Sequence, residues 1–210
     1  MPTITDLKGP AGRLEALLDV PAGTPRAAVV FAHPHPQHGG SMHTKVVYQG
    51  AKALARIGCA VLRFNYRGVG SSAGSFGGGA GEMDDFRAAL DFMQAEYPTA
   101  PLWAAGFSFG AWVALEVGAE DPRISTLIGI APPVAREGYV FDHVRHSTKP
   151  KFFLQGDRDD VCPLKDLRVF YGGLPEPKEL VVVEGASHLF EGRTLEAAAA
   201  LEDLLADFRG

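Results

Sequence analysis

The amino-acid sequence predicts a single α/β domain over residues 1–210, with a mostly parallel sheet covered by helices on both faces. Three observations predict it. Short, almost wholly apolar runs recur along the chain, and stretches with helical spacing separate them. Runs that are apolar at every position suit strands buried on both sides, as in parallel sheets. With 210 residues, 46% hydrophobic and 21% charged, the chain is long enough for a sizeable core and too apolar to stay disordered.

Taken in order, residues 3–20 read as an antiparallel hairpin turning at Gly9-Pro10-Ala11-Gly12, a sequence suited to chain reversal. Residues 27–32 (Ala-Ala-Val-Val-Phe-Ala) read as a buried strand and 45–56 as a helix. Strands at 59–64, 102–107, 124–130, 151–155 and 180–183 follow. Helices at 82–96, 111–118, 164–171 and 194–208 lie between and after them. Binding sites in such folds lie beyond the carboxyl ends of the strands. The segment 133–150 is the place where a covering domain would be inserted. It is too short for one and has room for a loop or one short helix, so an open site without a lid domain is expected.

The run Leu102-Trp103-Ala104-Ala105-Gly106-Phe107-Ser108-Phe109-Gly110 carries the chemistry. A strand ends in Gly-x-Ser-x-Gly and a helix follows at once. A serine at the apex of so sharp a turn takes a strained backbone conformation, and side chains at Gly106 and Gly110 would clash. Its hydroxyl is exposed beside a helix N-terminus, where a developing oxyanion is stabilised. A serine nucleophile needs a base, and the base needs an acid to orient it. Of seven histidines, His188 follows a late strand through a short turn and precedes the last helix, which places it at a strand's carboxyl end. The acid is one of Asp157, Asp159 and Asp160, just after the strand at 151–155. Asp159 is preferred: three residues past Gly156 it turns inward, whereas Asp157 caps the turn and Asp160 faces solvent or pairs with Arg158.

Chain order Ser108, Asp159, His188 is that of the α/β-hydrolase layout, and the chain resembles that superfamily. More narrowly it resembles the small bacterial dienelactone-hydrolase-like and predicted α/β-superfamily serine hydrolases. The resemblance rests on His33-Pro34-His35-Pro36-Gln37-His38-Gly39-Gly40-Ser41-Met42, Arg63-Phe64-Asn65-Tyr66-Arg67-Gly68-Val69-Gly70-Ser71-Ser72, the serine turn, the Asp159 loop and the His188 turn. It covers the chain from about residue 27 onward. Dienelactone hydrolases use a cysteine nucleophile; Ser108 stands in that place here, so their substrate does not carry over. The resemblance implies a serine hydrolase acting on a small acyl substrate without a cofactor, and it points to an oxyanion donor at His35.

One oxyanion donor is expected to be the backbone amide of Phe109, after the nucleophile, and the other to come from the loop after the strand at 27–32. Pro34 and Pro36 have no amide hydrogen. His35 between them can donate; Gln37 and Gly40 are the alternatives. An ester cleaved through an acyl-enzyme is the favoured activity. A thioesterase, lactonase or small peptidase on the same three residues is the alternative, and a non-catalytic binding module that kept the fold is the rival of another class.

Other signals are read blandly. His33, His35, His38 and His43 crowd one loop without a nearby Cys or acidic ligand, so no metal site is expected there; imidazole hydrogen bonds to neighbouring backbone fit better. Gly68-Val69-Gly70-Ser71-Ser72-Ala73 fits a loose dinucleotide pattern but opens no helix, so no nucleotide is expected. The glycines that follow let the loop wrap past the site's rim. Glu82, Asp84 and Asp85 read as charges favourable at a helix N-terminus. Trp103 and Trp112 read as core or half-buried, and His143 and His146 as solvated. A net charge of −5 and a pI near 5.8 argue against nucleic-acid binding. No apolar run is long enough to span a bilayer. The start Met1-Pro2-Thr3-Ile4-Thr5-Asp6 and two isolated cysteines, Cys59 and Cys162, suit a reducing, cytoplasmic setting.

Overall fold

The structure is a computed structural model that describes Thr3, Ile4 and residues 7–208. The remainder of the amino-terminal hexapeptide and the last two residues lie outside the described residues, as do the ends of the domain expected over 1–210. The chain begins with strands β1 (Thr3–Ile4), β2 (Lys8–Gly9), β3 (Gly12–Arg13) and β4 (Ala16–Asp19). β1 pairs antiparallel with β4, and β2 with β3 around Gly9↔Gly12, so the reversal falls at the expected turn. Then follow β5 (Ala28–Ala32), α1 (Lys45–Arg56), β6 (Ala60–Phe64), α2 (Ala80–Glu96), β7 (Leu102–Phe107) and α3 (Phe109–Glu120). The rest is β8 (Ile124–Ile130), α4 (Asp142–His146), β9 (Lys151–Gly156), α5 (Leu164–Gly172), β10 (Lys178–Val183) and α6 (Thr194–Ala206).

Eight strands form one sheet in the order β1-β4-β6-β5-β7-β8-β9-β10. The six from β6 to β10 run parallel; β4 is antiparallel to β6. The fold is an α/β-hydrolase fold without a lid domain.

The apolar runs become strands because alternate residues feed different cores. From β5, Val29 and Phe31 join the core under α1 and α6, which also takes Trp103, Phe107, Ile128 and Leu154. Ala28, Val30 and Ala32 face the core under α2 and α3, with Leu62, Phe64, Ala104 and Phe153. Both faces are buried, so neither tolerates a polar stripe.

Chain order fixes the crevice. β6 lies on one side of β5 and β7 on the other. The loops leaving β5 and β7 therefore diverge at their carboxyl ends, and a crevice opens between them.

Two helices, α2 and α3, start two residues earlier than sequence periodicity indicates, while α1, α5 and α6 start where it places them. α2 begins at Ala80, not at residue 82, because the Glu82 carboxylate accepts from the amides of Gly77 (2.8 Å) and Gly79 (2.7 Å), closing the turn ahead of it. Asp85 is not an N-terminal surface charge: it is buried and pairs with Arg67 through both carboxylate oxygens (3.0 and 2.7 Å). The segment 133–150 contributes only α4. The Glu116 carboxylate caps it by accepting from the amides of His143 and Val144. Trp103 is core and Trp112 half-buried, and His143 and His146 are exposed.

Candidate active site

Ser108 sits between β7 and α3 with φ 55° and ψ −119°, a left-handed conformation that side chains rarely adopt. Its amide donates to Ile130 O (2.8 Å), which ties the strained residue to β8. The flanking glycines are enforced by close packing. A Cβ on Gly106 would collide with the Gly110 carbonyl, and one on Gly110 would lie 2.5 Å from the carbonyl oxygens of Ala32 and His33. The turn is therefore wedged against the end of β5, the strand that carries the loop across the crevice.

That loop is fixed from within. Tyr66 N–H donates to His33 Nε2 (3.1 Å), so the His33 proton is on Nδ1, which donates to Pro34 O (2.7 Å). Burial depresses the His33 pKa to about 4, keeping it neutral and in this role. In a trans peptide the C=O and N–H point opposite ways, so holding Pro34 O sets the direction of the His35 amide. Gln37 N donates to His35 Nδ1 (3.2 Å) and Gly40 N to His35 O (3.1 Å), so both alternative donors are engaged. Among the described residues, neither the His35 amide nor the Phe109 amide has an acceptor. The far end of the loop is anchored at Met42, whose N–H donates to Asn65 Oδ1 (2.8 Å) and whose carbonyl accepts from Arg63 Nη1 (2.8 Å).

Across the crevice, Asp159 and His188 come from the loops after β9 and β10. The structure brings all three predicted residues together: His188 Nε2 is 3.0 Å from Ser108 Oγ, and His188 Nδ1 is 2.8 Å from Asp159 Oδ2. A carboxylate can only accept, so Nδ1 carries the proton and Nε2 is left to accept from Ser108. Asp159 Oδ1 accepts from the amides of Val161 (2.9 Å) and Cys162 (2.7 Å). Oδ2 accepts from Gln155 Nε2 (2.8 Å) besides His188. The other two aspartates are elsewhere: Asp157 accepts from Gly185 N (2.6 Å), bracing the turn that leads to His188, and Asp160 is exposed.

Two residues escaped sequence reasoning. The sequence marks Gln155 only as the last residue of a strand. Its Nε2 also donates to Cys162 O (2.6 Å), so its amide orientation is forced by two acceptors and its Oε1 is left buried without a partner. Phe76, from the glycine-rich loop, lies 5.1 Å from the His35 ring, so this loop does reach the rim. His35 also stacks on His38 (4.4 Å), and burial with the neighbouring His38 and Arg136 charges lowers its pKa. Among the described residues, the one group of His, Cys, Asp or Glu ligand atoms close enough to share an ion is Asp159, Cys162 and His188.

The cavity beside Ser108 holds about 570 Å³ and is bounded by His35, Phe109, Tyr139, Val161 and Leu189. The site thus combines a hydroxyl on a strained turn, an imidazole within hydrogen-bond distance of it, a buried carboxylate behind the imidazole and, opposite, two backbone amides without acceptors among the described residues. The chain belongs to the α/β-hydrolase superfamily, in the family described as serine aminopeptidase, S33, whose model matches residues 23–144. It is similar to an uncharacterized protein of Rickettsia prowazekii, 38% identical over 94% of this chain and 86% of that one. Among solved structures, an alpha-beta serine hydrolase homologue from Coxiella burnetii is 38% identical with a TM-score of 0.90, covering 98% of this chain and 100% of that one. A Xanthomonas campestris protein described as an a/b serine hydrolase without lid is 37% identical with a TM-score of 0.88, over 97% and 93% of the two chains. No helix among the described residues is long and apolar enough to cross a membrane.

Proposed function

We propose that the protein is a carboxylesterase-like serine hydrolase that cleaves small or short-chain carboxylic esters through an acyl-enzyme. The observation that carries this reading is the continuous chain of hydrogen bonds from Ser108 Oγ through His188 to Asp159 at the strained turn. Ser108 Oγ attacks the ester carbonyl carbon while its proton passes to His188 Nε2. The carbonyl oxygen becomes an oxyanion and accepts from the amides of Phe109 and His35, each well-placed donor contributing roughly 3–4 kcal/mol. Collapse breaks the bond to the leaving oxygen, which takes the proton from His188. Water then gives a proton to the same nitrogen and attacks the acyl carbon; the bond from that carbon to Ser108 Oγ breaks, Oγ takes the proton back from His188, and the carboxylic acid leaves. Asp159 keeps the imidazole in the required tautomer throughout. The residues complete this cycle without a cofactor. Both cysteines are free and buried, which supports a reducing, cytoplasmic setting.

A second reading, peptide cleavage at a free amino terminus, draws on the family's description and on Asp160 and Glu191, acidic residues that line the cavity and would pair an α-ammonium group.

One preparation tests both. A fluorophosphonate probe is expected to label Ser108, located by peptide mass spectrometry, and an acetate or butyrate ester to turn over faster than the matching thioester, lactone or aminoacyl anilide. A faster anilide would replace the first reading with the second. An unlabelled protein with no turnover would leave a binding module that has kept the fold.

A further inference from the structure

The loop that wraps Asp159 places a thiol beside the acid–base pair. Cys162 uses its backbone fully, its N–H donating to Asp159 Oδ1 and its carbonyl accepting from Gln155 Nε2. Its Sγ has no hydrogen-bond partner among the described residues, and Cys162 lines the same cavity as Ser108. One ligand atom each from Cys162, Asp159 and His188 lie within 4.8 Å of one another. We propose that these three residues form an inhibitory site for a thiophilic divalent cation of the zinc class.

The donor set selects the metal. One thiolate, one imidazole nitrogen and one carboxylate suit zinc, with a water from the cavity as fourth ligand. Magnesium and calcium prefer all-oxygen sites. Zinc bond lengths of about 2.0–2.3 Å put tetrahedral ligand atoms about 3.3–3.8 Å apart. The thiol therefore swings inward and the His188–Asp159 contact, now 2.8 Å, opens by roughly half an ångström on the same geometry. Gln155 holds the carboxylate from behind, as outer partners of metal ligands do.

Binding reverses the tautomer that the reaction needs. Zinc takes the lone pair of the Cys162 sulfur, whose proton leaves to solvent. It also takes the lone pair of His188 Nδ1, and the proton of that nitrogen is replaced by one on Nε2, so the imidazole stays neutral. One zinc ion enters, one proton leaves in total, and nothing is oxidised or reduced. Nε2 then carries a hydrogen toward Ser108 Oγ and cannot accept from it. The metal site stands on the ligand geometry; its inhibitory effect rests on the role proposed above for His188.

Zinc chloride titrated calorimetrically into the Ser108→Ala variant, which keeps all three ligands, is expected to bind one ion with release of about one proton, read from heats in two buffers. Cys162→Ser and Cys162→Ala in that background should weaken binding about tenfold or more, since even losing an outer partner of a metal ligand costs this much. Circular dichroism confirms that the variants are folded. Magnesium should give no binding. In the active protein, hydrolysis should fall in step with zinc occupancy. No binding to folded Ser108→Ala, or equal affinity after Cys162 is replaced, overturns the site while a labelled Ser108 leaves the esterase reading intact. Tight binding that leaves hydrolysis untouched overturns the inhibition and the assignment of His188 as base.

Discussion

The Ser108 side of the site and the Asp159–His188 side are held in place by different physics. Around Ser108 the constraint is steric: Gly106, Gly110 and Gly40 sit where an added Cβ would meet backbone, so the backbone can take one path. Around Asp159 the constraint is polar: one carboxylate collects His188, Gln155 and two backbone amides, and releasing any one leaves the others. A wedge of backbone transmits a change at once to everything that touches it. A set of hydrogen bonds yields piece by piece, and it is the side on which the inhibitory cation site is proposed. Changes on the first side should therefore be all-or-none, and those on the second graded.

The largest effect should come from the atom that both sides serve. Ser108→Ala is expected to lower turnover of an activated ester by at least about a thousandfold while the thermal midpoint stays close to the parent's. Near-full activity, with contaminating esterase removed, would detach the nucleophile from this site.

Next comes a change that adds one carbon and removes no polar group. A Cβ on Gly40 would lie 2.6 Å from the Pro34 carbonyl carbon and 2.7 Å from His35 O. The Pro34–His35 peptide must turn, and the His35 amide turns with it. Gly40→Ala is expected to lose about 10²–10³ in kcat with little change in KM, as for the removal of an oxyanion donor. An unaltered kcat would show that this side yields and that the second donor lies elsewhere.

How much of this was legible in the sequence follows the same division. The steric side was almost fully readable, because a glycine on each side of Ser108, and prolines on each side of His35, state a backbone requirement in the residue type itself. Asp159 was readable by its distance from Gly156. The strands were readable because burial on both faces leaves an apolar run. Gln155 was not, since its partners reach it only when the chain doubles back at Cys162. Asp85 was misread because its position near a helix start explains an acidic residue equally well, and Arg67 becomes its partner only once the fold joins them. Glu116, inside an apolar helix, gave no sign that it caps α4.

One polar element works on the steric side and sharpens the comparison. His33 is buried and neutral, with its pKa at about 4 against about 6.5 for a free histidine side chain. Between those values the unfolded chain binds a proton that the native state does not. The stability linked to His33 is therefore present above about pH 6.5 and is lost as pH falls toward about 4, by up to about 3 kcal/mol. Urea unfolding at pH 7.0 and about 4.5 should show the parent losing about 2–3 kcal/mol more than His33→Gln over that interval. Equal losses would mean that His33 is hydrated, and that the Pro34 carbonyl is held by the wedge of glycines alone.

The smallest expected effect concerns the wall that neither side builds. Pro133 and Tyr139 border the cavity, but the segment beyond them is pinned back onto α3. Trp112 Nε1 donates to Val140 O (2.7 Å), and Glu116 caps α4. It therefore does not fold down over Ser108. Val161 and Leu189, at the cavity, remain 41% and 49% exposed. A methylene contributes about 0.8 kcal/mol, or roughly fourfold in kcat/KM, only where protein covers it. A cavity of about 570 Å³ open to solvent covers the first few carbons and leaves the rest in water. In a homologous ester series kcat/KM should rise over the first carbons, peak at acyl chains of about two to six carbons, and gain nothing further on this burial argument. No jump should appear when substrate passes its solubility limit. A preference for chains of about twelve carbons or more would require cover equal to several more buried methylenes. The loop carrying Phe76, already against His35, is the element placed to supply it, and Phe76→Ala would then shorten the preferred chain.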